Sequence, residues 1–182
     1  MTQKTLLTAE TFCREYAGKP GKYELVRGEA VEMTPPGGAD GSTAAAITVA
    51  LGSYLKSNPR GKLLVESGYV LQRRPDTVRG PDVSLVLTER IPPGGIPQGY
   101  LPVVPDLVVE VVSPWDTAAE VAGKVHDYQK AGVPCIWVFY PQDRRAQVYP
   151  RDGPARWYAE DDVLDGGDLL PGFAVPVRDF FI

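Results

Sequence analysis

A chain of 182 residues that is 43% hydrophobic and 23% charged, with a formal net charge of −4, is long enough for one sizeable core and is ordinary for a soluble globular domain. The acidic balance excludes a polycationic glove for nucleic acid, so any such contact must come from local patches or a divalent metal, and no apolar run reaches transmembrane length. Cys13 and Cys135 are far apart in no metal-type spacing and Met1-Thr2-Gln3-Lys4-Thr5 has no leader pattern, so buried unpaired thiols and a cytoplasmic location are expected.

Thr8 to Phe12 opens a short helix with Thr8 as N-cap and Phe12 and Tyr16 on one face, and Gly18-Lys19-Pro20-Gly21 ends it. Lys22 to Met33 reads as a β-hairpin turning at Arg27-Gly28, with Tyr23, Leu25 and Val31 on one face and Glu24 on the other. Pro35 to Gly41 reads as a flexible loop. From Ser42 to Lys56 the spacing of Ile47, Leu51, Tyr54 and Leu55 predicts a helix capped by Ser42. Residues 63–66 and 68–71 read as strand, leading through the basic loop Arg73-Arg74-Pro75-Asp76.

Two apolar, β-branched runs follow, Gly80-Pro81-Asp82-Val83-Ser84-Leu85-Val86-Leu87 and Pro105-Asp106-Leu107-Val108-Val109-Glu110-Val111-Val112-Ser113-Pro114. Both are too short for ordinary helices and read as buried strands. Between them, the stretch from Ile91 to Pro105 holds five prolines and is expected to be an ordered loop over an edge or a cleft. A helix from about Ala118 to Ala131 comes next, with turn and cap chemistry in Ser113-Pro114-Trp115-Asp116-Thr117 and a stop at Gly132. Cys135 to Tyr140 is the most hydrophobic strand. Gln147-Val148-Tyr149 and Arg156-Trp157-Tyr158 make an outer hairpin, residues 160–168 an acidic loop away from the cleft or at a subunit contact, and Leu169 to Phe181 a set of apolar anchors. The order predicts an α/β single domain over residues 1–182, with a core at about 22–145 and a C-terminal hairpin and anchor at 146–182. The Trp137 strand and the aromatic C-terminal hairpin suggest a homodimer.

The chemistry sits in the central stretch. Asp82 opens one buried strand and Glu110 interrupts the other, with two valines on each side. A buried carboxylate is costly unless paired or bound to a cation. On the following helix, Val121, Val125 and Tyr128 form one face, and Lys124 lies beside it. Two strand acids and one helix lysine can converge on one point, which suits metal-assisted hydrolysis of a phosphodiester. Hard cations such as magnesium or manganese prefer oxygen ligands, offset the repulsion between the acids and activate water. A nearby ammonium neutralises charge on the phosphate. Each residue alone has a plainer reading: a turn for Asp82, a buried ion pair for Glu110, a solvated lysine for Lys124, the solvated face of a hairpin for Glu24. His126 reads as a surface helix residue, Arg73, Arg74 and Arg79 as a solvated loop or a phosphate contact, and Trp115, Trp137 and Trp157 as core or interface residues.

Several blocks together resemble the Uma-type restriction endonuclease family: Tyr23-Glu24-Leu25-Val26-Arg27-Gly28-Glu29, Gly80-Pro81-Asp82-Val83, Pro105 to Pro114, Lys124 with Asp127-Tyr128, Gly132, Trp137-Val138, and Asp162 to Asp168 with Leu170-Pro171-Gly172-Phe173. The resemblance runs over nearly the whole chain. It implies the PD-(D/E)xK nuclease fold, a mixed sheet flanked by helices, with Mg2+ or Mn2+ as cofactor and DNA as partner. It assigns Asp82 and Glu110 as metal ligands, Glu24 as a third ligand or base, Lys124 as the displaced lysine, since the usual position two after the second acid is Val112, and Val111 as a carbonyl donor. The family's histidine near the second helix is missing, and the one histidine is His126. No membrane contact and no organic cofactor are expected. Two rivals stand beside a DNA-cutting enzyme: a catalytically silent nuclease-fold binding module, and a metal-dependent hydrolase of small phosphodiesters.

Overall fold

The computed structural model describes residues 5–181. Met1 to Lys4, on which the reading of the N-terminus rests, and Ile182 lie outside the described residues. In chain order the elements are α1 (Ala9–Tyr16), β1 (Lys22–Val26), β2 (Glu29–Met33), α2 (Gly38–Ser57), β3 (Gly61–Val65), β4 (Tyr69–Gln72), β5 (Thr77–Arg79), β6 (Val83–Leu87), β7 (Leu107–Val111), α3 (Ala118–Ala131), β8 (Cys135–Tyr140), β9 (Arg145–Pro150), β10 (Arg156–Tyr158), β11 (Val163–Gly166) and β12 (Leu170–Pro176).

The main sheet runs β10-β9-β8-β7-β6-β3. Its β7 and β8 pair in parallel and are joined by α3, as a parallel connection requires a crossover. Alternation along β7 sorts its side chains between two cores. Leu107, Val109 and Val111 join Val83, Leu85, Trp137 and Phe139 on one face, covered by Ile47 and Leu51 of α2 and by Leu164, Leu170, Phe173 and Phe180 from the C-terminal segment. Val108 joins Ile136 and Val138 on the other face, under Val125 and Tyr128 of α3. Glu110 shares that second face, so the pleat itself aims it at α3.

α3 forms where its signals predict. Thr117 accepts from the Glu120 N–H, Glu120 returns to the Thr117 N–H, and Gly132 ends the helix at φ +86°, a conformation glycine adopts without strain. A second, antiparallel sheet, β2-β1-β5-β4, carries its own small core of Ala9, Phe12, Leu25 and Val78.

Several expectations change. α2 begins at Gly38, inside the stretch read as a flexible loop, because Asp40 folds back to accept from the Gly37 N–H; Ser42 therefore lies within the helix. Val31 shares the Glu24 face, because the Arg27-Gly28 turn sets a register that pairs Glu24 with Val31 and Leu25 with Ala30. The strands read at 63–71 belong to different sheets, divided at Glu66, whose φ is +49°. The loop before Asp82 contains β5, too short at three residues to show a period. Part of the acidic 160–168 segment is β11, paired with β12, and the core runs on past residue 145, since Ala146, Leu164, Leu170 and Phe173 pack with Val109 and Trp137. The proline-rich loop lies on an edge: Leu101 bridges to Tyr69 of β4, and Tyr100 stacks on Phe12 at 5.8 Å.

Trp137 is buried against Phe139 and Phe173 within the chain, so its apolarity is spent on folding rather than on a partner. Trp115 and Trp157, read as core or interface, are 66% and 48% exposed. Cys13 and Cys135 are unpaired and half-buried rather than fully buried. Among the described residues no helix is long and apolar enough to cross a membrane.

Candidate active site

Asp82, Glu110 and Lys124 come together between the end of β7 and α3. The Lys124 Nζ donates to Glu110 Oε2 at 2.8 Å, and the Tyr128 hydroxyl, one helical turn on, donates to Glu110 Oε1 at 2.6 Å. Asp82 stands just before β6, next to β7 in the sheet, and its Oδ2 accepts from the Val111 N–H at 2.7 Å. Its Oδ1 lies 3.8 Å from the Nζ of Lys22, the first residue of β1. The two acids are thus held in the same way. Each has one oxygen pinned by the fold, through Tyr128 or Val111, and the other facing a lysine.

The charges bear on one another. Burial, and then the negative charge of Glu110, push the Asp82 carboxyl up to about 6, outweighing the Val111 bond and the two lysines that pull it down. Burial works against the Lys124 ammonium, yet Glu110 and Glu24 outweigh it and hold its pKa above the ordinary lysine value. Burial, with Glu110 beside it, raises the Tyr128 phenol well above its usual range, so it remains a donor.

A stability prediction follows for the protein in metal-free buffer. Between about 4 and about 6 the folded state keeps a proton on Asp82 that the unfolded chain has released, so this group's contribution to stability falls as pH rises through that window. Urea unfolding on either side of the window is expected to show the decline, and Asp82→Asn to flatten it.

Glu24 is brought to the same neighbourhood but differently engaged. It is 2% exposed, which removes the solvated-hairpin reading. Its Oε2 accepts from Arg79 Nη1 at 2.7 Å and its Oε1 from the Gly80 N–H at 2.9 Å. Arg79 also donates through Nε and Nη2 to Asp127 of α3, at 2.9 and 2.6 Å. Arg79 is therefore buried and engaged with two carboxylates, not part of a solvated loop. Arg73 is spent on Asp76 and Glu10, and His126 is exposed on α3. Asp106, conspicuous in its Pro-Asp pair, is structural: it accepts from the Leu87 N–H and pairs with Arg90.

Sequence reasoning did not single out Lys22, or the roles of Tyr128, Asp127 and Arg79. Lys22 and Glu24 are two apart on one strand and share a face, which was the available signal. Arg79 carried none, because its partners lie 55 and 48 residues away.

Among the described residues no three His, Cys, Asp or Glu side chains converge as a metal-holding group. The donor set of Asp82 and Glu110 nonetheless suits a hard cation. Both are oxygen ligands, and burial beside a second carboxylate has left Asp82 short of positive charge. Lys22 and Lys124 stand against the remaining oxygens of the two acids.

A mixed sheet flanked by helices, with an acid at the head of one strand, a second acid on its neighbour and a lysine from the next helix, defines a restriction-endonuclease-like α/β domain. The chain belongs to the Uma2 family, described as putative restriction endonucleases, whose model matches residues 9–178. Its fold is similar to that of a putative nuclease belonging to DUF820 from Anabaena variabilis, with a TM-score of 0.82 and 19% identity, covering 96% of this chain and 97% of the other. None of the curated proteins compared with it matches.

Proposed function

We propose that the protein is a divalent-cation-dependent nuclease that hydrolyses DNA phosphodiesters at the Asp82–Glu110–Lys124 centre. The observation that carries the reading is the shared design of the two acids, each pinned through one oxygen and facing a lysine with the other. A magnesium or manganese ion would be held by Asp82 and Glu110, and would supply charge neutralisation and an activated water. Tyr128 and the Val111 N–H keep the two carboxylates in place. Lys124, charged at neutral pH, neutralises negative charge that builds on the phosphate. Glu24 acts as a positioning residue in this reading: through the Gly80 N–H and Arg79 it fixes the backbone that leads into Asp82.

A polymeric substrate is favoured over a small diester by the ground on either side. A groove of about 350 Å³ lined by Val31, Met33, Trp115 and Gly123 reaches the centre at Lys124. Another, of about 430 Å³ and lined by Ala44, Thr48, Val65 and Glu66, reaches it at Asp82. Two separate grooves that each reach the centre, one at Lys124 and one at Asp82, suit a substrate that extends beyond a single diester. The family description and the nuclease name of the structural neighbour support the same reading.

The deciding experiment incubates the protein with supercoiled and single-stranded DNA in magnesium or manganese. Cleavage that a chelator stops is expected. A protein that binds neither metal by calorimetry and cuts nothing would be a silent binding module, and one that hydrolyses a small diester but leaves plasmid intact would have the wrong substrate assigned here.

A further inference from the structure

Lys22 is used by no step above, yet it stands at the centre. Its side chain is about one-third exposed, and its Nζ lies between two carboxylates, 3.4 Å from Glu66 Oε1 and 3.8 Å from Asp82 Oδ1. Neither is a tight pair, and partly exposed ion pairs of this kind contribute little, so exchange between them costs little. The two anchors are tied to each other, because the Glu66 N–H donates to the Asp82 carbonyl at 3.2 Å. Glu66 and Asp82 together line the groove that meets the centre on its α2 side. Glu24, two residues on and on the same face of β1, is locked by Arg79 and Gly80, so β1 is a fixed base from which Lys22 reaches.

Resting on the nuclease reading, we infer that Lys22 is a second catalytic lysine, which competes with the divalent cation for Asp82 and turns to a substrate phosphate when the cation binds. It is the cation paired with Asp82 Oδ1, the oxygen that the Val111 N–H leaves open. With Asp82 engaged by a divalent cation, the Lys22 ammonium would lose its place there, and Glu66 would hold it over the groove, where a phosphodiester strand would supply the negative charge it pairs with. Lys124 and Lys22 would then approach the substrate from opposite sides, one from α3 and one from β1. Glu66 is the positioning residue of this arm.

The two halves of the role push measurements in opposite directions. Lys22→Met is expected to bind Mn2+ roughly three- to tenfold more tightly by calorimetry, because a competing unit charge is gone from the site. The same variant is expected to cut DNA at least ~10-fold more slowly at saturating Mn2+, because a cation on the phosphate is lost. Glu66→Gln is expected to weaken Mn2+ binding about threefold, since Lys22 then falls wholly to Asp82. Both residues sit at the surface end of a strand, and circular dichroism checks that the variants fold. A Lys22→Met protein with unchanged or weaker Mn2+ affinity, or with undiminished cleavage, overturns the inference while wild-type binding and cleavage leave the nuclease reading standing. A wild type that neither binds Mn2+ nor cuts overturns both.

Discussion

A protein carrying Lys124→Met is expected to cut supercoiled DNA about 10²–10³-fold more slowly than the wild type, the loss typical of removing one preorganised group that faces developing charge. The position of this lysine follows from packing. Glu110 and the residue two further on share a face of the sheet, and at 112 that face is already covered: Val112 packs into the apolar cluster of Val108, Val125, Tyr128 and Val138 beneath α3. A lysine there would have to lay its stem against that apolar cluster in place of the valine. The helix supplies the ammonium instead, from a residue one turn before Tyr128, so both groups reach Glu110 from a single rigid element. Lys124→Arg is expected to restore little, since a planar guanidinium forks where a compact ammonium fits. The loss should fall on kcat, with the variant still folded, because the methionine keeps the apolar stem in place and Glu110 keeps its Tyr128 bond. Plasmid-nicking rates at saturating Mn2+, read beside thermal unfolding of the same samples, test both statements.

The site was legible in the sequence to the degree that its residues violate a local pattern. Glu110 between pairs of valines and Asp82 at the mouth of a β-branched run are anomalies on the scale of a few residues, and the fold brings both to one place beside two lysines. Lys124 was reachable because its helix has clear caps, which fix the face it borders. Glu24 was not legible as buried. Its strand alternates as a half-exposed hairpin would, and only the docking of β5 and α3 closes it off. Arg79 was misread for the same reason: next to Arg73 and Arg74 it looks like part of a basic loop, whereas its neighbours in space are two acids distant in the chain. The family resemblance named four candidate residues, which the fold brings to one neighbourhood, but it could not say which oxygens are committed and which are open. Fold errors were likewise local in origin. A carboxylate returning to a glycine N–H started α2 early, and a three-residue strand was too short to announce itself.

Arg79→Met is expected to destabilise the protein by about 3–5 kcal/mol, the range for removing one partner of a buried ion pair and leaving charge behind. Here one guanidinium serves two acids. It donates to Glu24 on the small sheet and, through two nitrogens, to Asp127 on α3. Arg79 lies on β5, so these bonds fasten the hairpin sheet to the helix that carries Lys124 and Tyr128. With methionine in its place the stem is replaced, but Glu24 retains only the Gly80 N–H while buried. A fall in Tm on the order of 10 °C is expected from that cost in a chain of this length. Asp127→Asn should cost less, because it leaves the Arg79–Glu24 pair whole. Combining Arg79→Met with Glu24→Gln should recover part of the loss, since the stranded charge is removed, and a purely additive double variant would show that the pair is not coupled. The effect on function is separable by temperature. Well below the transition, Arg79→Met should remain folded yet cleave slowly, because Gly80, whose N–H is fixed by Glu24, leads directly through Pro81 into Asp82, and the proposed centre depends on Asp82 being held to within about an ångström of its place beside Glu110.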